Sequence, residues 1–79
     1  ADAFAVLPGG IGTLDEAVEI LTWRQLDLHK KPIVLVDNNG YWLPFIKLIN
    51  HLIEAGFAGQ SLRNSFSIAT TIDELFGLI

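Results

Sequence analysis

The chain has 79 residues, 51% of them hydrophobic and 18% charged, and five Lys+Arg against nine Asp+Glu give a net charge of −4. An average soluble domain runs at about 45–50% and about 25%, so this apolar composition excludes a disordered segment, and the acidic balance without a basic cluster excludes a nucleic-acid backbone as partner. No cysteine is present, which excludes disulfides, thiolate metal sites and cysteine nucleophiles together.

In chain order, Ala3-Phe4-Ala5-Val6-Leu7 reads as a buried strand ended by Pro8-Gly9-Gly10. A helix is expected from about Thr13 to His29, with Leu14, Ala17, Val18, Leu21 and Leu28 at helical spacing. Ile20, Trp23 and Leu26 lie off that stripe, so the helix is expected to be covered on more than one side. Asp15, Glu16 and Glu19 fall near the positive end of its dipole and His29, Lys30 and Lys31 near the negative end, and Pro32 stops it. Ile33-Val34-Leu35-Val36 is a β-branched run between breakers, the pattern of a strand buried on both faces. Asp37-Asn38-Asn39-Gly40 forms a turn cluster. A second helix is expected from about Pro44 to Ala55, with Phe45, Ile46, Ile49, Leu52 and Ile53 inward and Gly56 just past its end. Phe57 to Ser65 reads as a polar loop and Phe66-Ser67-Ile68-Ala69 as a short third strand. Thr71-x-x-Glu74 opens a last helix as a capping box.

Three strands alternating with three helices define an α/β fold with a parallel sheet. In such sheets ligands bind beyond the carboxyl ends of the strands, here Pro8–Thr13, Asp37–Tyr41 and the surroundings of Thr70. A core of this size seldom sustains a fold without disulfides, metal or association. The chain is therefore expected to be part of a larger fold or to complete itself by association. No apolar run approaches the ~18 residues of a membrane span and no basic stretch precedes an apolar one in the manner of a signal segment, so a soluble, cytoplasmic protein without membrane contact is expected. His29 and His51 lack ligand spacing, and no metal is expected.

The stretch that carries chemistry is Pro8-Gly9-Gly10-Ile11-Gly12-Thr13-Leu14-Asp15-Glu16. Glycines between a strand and a helix start let backbone amides converge, an arrangement suited to an anion such as phosphate. It is not a Walker A loop, which needs a lysine, nor the dinucleotide fingerprint, whose third glycine is replaced by Asp15. Thr13-x-x-Glu16 also has the spacing of a capping box, so a structural and a chemical role for these two residues stand side by side. Asp15 and Glu16 would repel a phosphate at the same helix end, and such a site calls for a counter-charge that the loop does not hold.

Residues 8–16 match the Pro-Gly-Gly-x-Gly-Thr-x-x-Glu signature of the LOG ("lonely guy") family, whose bacterial members often carry the label "lysine decarboxylase". The resemblance continues through Thr22-Trp23-x-Gln25-Leu26, His29-x-Lys31-Pro32 and Gly40-Tyr41-Trp42 and weakens toward the C-terminus. It implies a Rossmann-like homodimer that hydrolyses the N-glycosidic bond of AMP-type nucleoside 5′-monophosphates, cytokinin nucleotides among them, to free base and ribose 5-phosphate, with no cofactor. By this resemblance Gly9, Gly10, Gly12 and Thr13 hold the 5′-phosphate and Glu16 is the catalytic carboxylate. The family's N-terminal half, with a catalytic arginine in a Met-x-x-Arg-Lys-like segment, has no counterpart here. The chain is thus expected to be the C-terminal half of such a domain, and neither Arg24 nor Arg63 inherits the arginine's role.

The remaining residues read structurally. Trp23 and Gln25 suit an interface or core, His29 a helix end, His51 the surface or an interface, and Trp42 and Phe45 the core rather than a base-stacking platform. The competing functions are a non-catalytic nucleotide or molybdenum-cofactor carrier, which would share the glycine loop but not need Glu16, and an interaction fragment. Lysine decarboxylation is rejected, because Lys30, Lys31 and Lys47 lack the setting of a pyridoxal-bearing lysine.

Overall fold

The computed structural model describes residues 3–79. Seven elements follow in order: β1 (Phe4–Val6), α1 (Ile11–Gln25), β2 (Ile33–Val36), α2 (Leu43–Glu54), α3 (Gln60–Asn64), β3 (Ser67–Ala69) and α4 (Ile72–Leu78). The strands form one parallel sheet in the order β1-β2-β3, with Ala5 opposite Val34 and Leu35 opposite Ile68. This is the Rossmann-like α/β architecture expected, with one more helix than expected. Among the described residues no helix is long and apolar enough to cross a membrane.

Central β2 is buried on both pleats, as its unbroken apolar run requires: Ile33, Val34 and Leu35 are at most 2% exposed. Ala17 and Leu21 of α1 and Ile49 of α2 join Val6, Ile33, Leu35, Trp42 and Phe66 in one core cluster. Helices α1 and α2 therefore share a face of the sheet, while α4 packs against β2 and β3. β1 departs from the expected buried strand. Only Phe4 and Val6 turn inward; Ala5 is exposed and Leu7 is 60% exposed, since β1 is an edge strand among the described residues.

Helix α1 begins at Ile11 rather than Thr13 and ends at Gln25 rather than His29. Gly10, extended at φ −91° and ψ −159°, is its N-cap and supplies no side-chain cap, so the Thr13–Glu16 capping box does not form. Thr13 already lies in the first turn, where its amide donates to the Gly10 carbonyl at 3.1 Å, and Asp15 and Glu16 fall beyond that turn. Pro32 does not stop the helix. Asp27 does, in the left-handed conformation at φ 58°, with the Asp27 amide on the Arg24 carbonyl and the Leu28 amide on the Trp23 carbonyl. That pair of bonds is the Schellman closure usually given to glycine. Of the three off-stripe residues, Ile20 packs against the core as expected, whereas Trp23 and Leu26, 42% and 64% exposed, are not covered.

Gly56 closes α2 in the same way and as expected, at φ 84°, with its amide on the Ile53 carbonyl and that of Phe57 on the Leu52 carbonyl. The stretch read as a loop from Phe57 contains the short helix α3, which starts from Gly59. The last capping box does form at the Thr71 hydroxyl, which accepts from the Glu74 amide at 3.1 Å. The Glu74 carboxylate reaches back one residue further than the motif implies, to the amide and hydroxyl of Thr70 at 2.9 Å each.

Two predictions follow from these helix ends. Replacing Asp27 by Gly removes both left-handed strain and a carboxylate at the negative end of α1, and should stabilise the fold by about 1 kcal/mol in urea denaturation. The Thr70 amide and hydroxyl lower the Glu74 pKa. A lowered folded value means that this stabilisation is present above the ordinary glutamate value and is lost as pH falls through the folded one. Acid-induced shifts of the Thr70 and Glu74 amide resonances should therefore follow Glu74 titration below that ordinary value, and should vanish in Glu74→Gln.

Candidate functional site

The loops that leave the carboxyl ends of β1 and β2 meet at the top of the sheet. The β1–α1 loop can turn tightly because of its glycines, and at Gly9 the requirement is steric. A Cβ built there would lie 2.2 Å from Thr13 Oγ1 and 3.0 Å from Thr13 Cβ, so the Thr13 side chain occupies the space that any other residue at position 9 would need. Gly10 and Gly12 have open space where a Cβ would be. With no side-chain cap at Gly10, and with the Thr13 amide turned back to the Gly10 carbonyl, the Ile11 and Gly12 amides are the first-turn donors left for an anion at the positive end of the helix dipole.

The β2–α2 loop is held from several sides. Asn39 and Gly40 are both left-handed, at φ 56° and 78°, and the Tyr41 amide closes the turn on the Asn38 carbonyl at 3.1 Å. Asp37 Oδ1 accepts from the Trp42 amide at 3.0 Å, and the Trp42 indole N–H donates to the Val36 carbonyl at 3.0 Å. Asp37 thus serves the turn, and Trp42, 1% exposed, serves the core. Tyr41 stands edge-on to Trp42 at 5.0 Å, and its hydroxyl donates to the Gly9 carbonyl. This hydrogen bond joins the two loops. A cleft of about 430 Å³ lies beside it, lined by Gly9, Gly10, Ile11, Leu14, Tyr41, Trp42, Pro44 and Phe45.

The five residues singled out in the sequence do not all face that cleft. Gly9 and Gly10 line it, and Thr13 packs over Gly9. Gly12 borders a shallow surface hollow with Ile11, Leu14, Asp15 and Val18. Glu16 is exposed and lines neither. The helix geometry explains the division. At about 100° per residue, Glu16 lies about 160° round α1 from Leu14. Val18 and Leu21 face α2, where they share an apolar groove with Phe45, Ile49 and Leu52. Thr13, Glu16 and Ile20 lie on the opposite flank, with Glu16 one turn beyond Gly12.

Among the described residues, both arginines are engaged away from the glycine loop. Arg24, more than two turns further along, donates to the Lys31 carbonyl at 2.6 Å. Arg63 lies over the Phe66 ring at 4.9 Å. His29 is a helix-end partner as expected. Its Nδ1 accepts from the Lys31 amide at 3.2 Å, which leaves Nε2 to donate to the Ile20 carbonyl at 3.1 Å. His51 is exposed, and among the described residues no group of His, Asp and Glu is placed to hold a metal ion. Sequence reasoning placed Tyr41 in a ligand-facing loop but assigned it no part. Its signals are its position at a strand's carboxyl end and its place in the Gly40-Tyr41-Trp42 stretch of the resemblance, neither of which points to its partner Gly9 in the preceding loop.

A parallel sheet whose first strand passes through a glycine turn into an uncapped helix makes this an α/β protein of the Rossmann-like kind. The chain belongs to the family described as "Possible lysine decarboxylase", whose model matches residues 1–79. It is 44% identical over 75 residues to the cytokinin riboside 5′-monophosphate phosphoribohydrolase LOG of Oryza sativa subsp. japonica, covering 95% of this chain and 31% of that protein. A cytokinin riboside 5′-monophosphate phosphoribohydrolase of Arabidopsis thaliana is 41% identical over 75 residues, 95% of this chain and 35% of the relative. The enzyme of that name from Rhodococcoides fascians is 42% identical over 72 residues, 91% of this chain and 36% of the relative. The chain thus spans about a third of the length of the curated relatives it matches.

The contact between positions 9 and 13 yields a double-mutant test. Gly9→Ala should cost about 1–3 kcal/mol through overpacking, and Thr13→Ala should relieve most of that cost in the double variant, a coupling readable by chemical denaturation.

Proposed function

We propose that this chain carries the phosphate-binding loop and catalytic carboxylate of a phosphoribohydrolase acting on nucleoside 5′-monophosphates of the AMP type, including cytokinin nucleotides. The observation that carries the reading is the uncapped start of α1 at Gly10 together with exposed Glu16 one turn beyond Gly12 on the flank of the helix away from α2. The names of the relatives supply the reaction.

In this reading Gly9, Gly10 and Gly12 let backbone amides approach the 5′-phosphate, and Thr13 adds its hydroxyl or holds the loop shape through Gly9. One turn of helix advances about 5.4 Å, so a phosphate at the helix start brings its ribose alongside Glu16. As the C1′–N bond breaks, its electron pair leaves with the base and positive charge grows on the sugar. A fixed carboxylate stabilises that charge and orients the water whose oxygen bonds to C1′, while a proton from that water ends on the base. Asp15 and Glu16 oppose a dianionic phosphate, so a cation must come from another segment or a second copy, beside the edge of β1 that has no neighbour among the described residues. The exposed apolar side of α1, with Val18 and Leu26, and neighbouring Leu48 and Phe57 suit a homodimer.

The test is release of ribose 5-phosphate from AMP. Glu16→Gln should retain AMP binding while lowering turnover by about 100-fold or more. Binding of AMP with no ribose 5-phosphate released, by a preparation whose mass and assembly state are verified, would favour the carrier reading instead.

A further inference from the structure

We propose that Tyr41 is a positioning residue that clamps the phosphate loop from behind; the inference rests on the phosphate role given above to that loop. Its hydroxyl donates to the Gly9 carbonyl. Among the described residues every peptide is trans, and a trans peptide directs its C=O and N–H to opposite sides. Drawing the Gly9 oxygen toward Tyr41 therefore turns the Gly10 amide away from Tyr41 and from the α2 side, which in this proposal is the side from which an anion reaches the start of α1. The same bond occupies a carbonyl lone pair that would otherwise repel an anion at this end of the helix.

Tyr41 can do this because its own backbone is fixed. The left-handed pair Asn39-Gly40 reverses the chain, and the Trp42 amide and indole are tied to Asp37 and Val36 at the end of the central strand. At Gly40 even an added Cβ would press on Leu43 Cδ1 at 3.1 Å, besides the strain of φ 78°. The clamp thus transmits the rigidity of β2 to a loop whose glycines would otherwise leave it many conformations. Tyr41 lies on the side of α1 opposite Glu16, so its part is to set the amides and not to touch the reacting sugar.

Tyr41→Phe keeps the ring against Trp42 and deletes only the hydroxyl. With 15N-labelled wild-type and variant chains titrated with AMP and with inorganic phosphate, the ligand-free variant should show displaced Gly9, Gly10 and Gly12 amide resonances. Its AMP affinity should fall about tenfold, the scale of one hydrogen bond, with the thermal midpoint nearly unchanged. Undisplaced loop resonances with unchanged affinity would overturn the clamp. So would a lowered thermal midpoint with unchanged affinity of the folded variant, which would mark a merely structural bond. Weaker binding with undisplaced ligand-free resonances would also overturn it, since the hydroxyl would then be touching the ligand. If wild-type binds neither AMP nor phosphate, the counter-charge that the functional reading requires is missing from the preparation, and the clamp is decided by the ligand-free resonances alone: displaced Gly9 and Gly10 amides support it, undisplaced ones overturn it.

Discussion

The carboxyl edge of this sheet depends on β2. It is paired on both sides, and its apolar side chains are buried on both pleats. Burying each large aliphatic side chain contributes about 1.5–3 kcal/mol, which makes β2 the least movable part of the molecule. Its influence continues past the last paired residue. The Asp37 amide donates to the Ala69 carbonyl at 2.7 Å, the Asp37 carboxylate holds the Trp42 amide, and the Val36 carbonyl takes the Trp42 indole. A buried tryptophan needs such a partner for its N–H, and here the partner also fixes the turn that carries Tyr41. The glycine loop is therefore placed from the core outward, through a chain of contacts that begins in the central strand.

The same spacing, Thr-x-x-Glu, occurs at positions 13 and 71 and gives opposite results. At Thr71 the backbone is extended and the hydroxyl caps the helix. At Thr13 the three preceding residues are Gly10, Ile11 and Gly12, and the extended Gly10 lets the helix begin before the threonine is reached. A capping motif is thus legible only when the residues ahead of it cannot themselves enter the helix. The end of α1 was obscured in a similar way. Pro32 is the visible breaker, but Asp27 adopts the left-handed conformation that Asp and Asn tolerate better than other non-glycine residues. Gly56, carrying the same closure in its usual form, was read correctly. Helix α3 escaped notice because it has too few residues to show an apolar period.

The alternation of strands and helices, the buried β2 run and the glycine loop are legible because each rests on local composition. The division of α1 into two flanks is not. Leu14 and Glu16 are two positions apart in sequence, and which of them meets α2 is decided by packing between crossovers. Tyr41 is harder still. Its role is defined by one hydrogen bond to a backbone carbonyl, and backbone groups carry no sequence signal.

Electrostatics decide how far these residues suffice by themselves. An exposed helix N-terminus favours an anion by about 0.3–1 kcal/mol, and each correctly aimed amide adds a hydrogen bond of roughly the same net size. Against this, a carboxylate within about 4 Å of a phosphate charge opposes it by about 1 kcal/mol even in water, and by more as water is excluded. Asp15 and Glu16 both stand near this end of α1. The nearest candidates for compensation are committed elsewhere: Arg24 to the Lys31 carbonyl, Arg63 to Phe66, and Lys31 over the Phe4 ring at 5.7 Å. On these magnitudes the amides and the acidic residues are of similar size, so in the proposed reading phosphate binding would depend on a cation supplied across from Glu16. The flank of α1 that carries Glu16 is turned from α2 toward the side where β1 has no neighbour among the described residues. A cation brought to that side would meet the phosphate and the carboxylate together, and would restore the attraction that the loop geometry alone leaves close to zero.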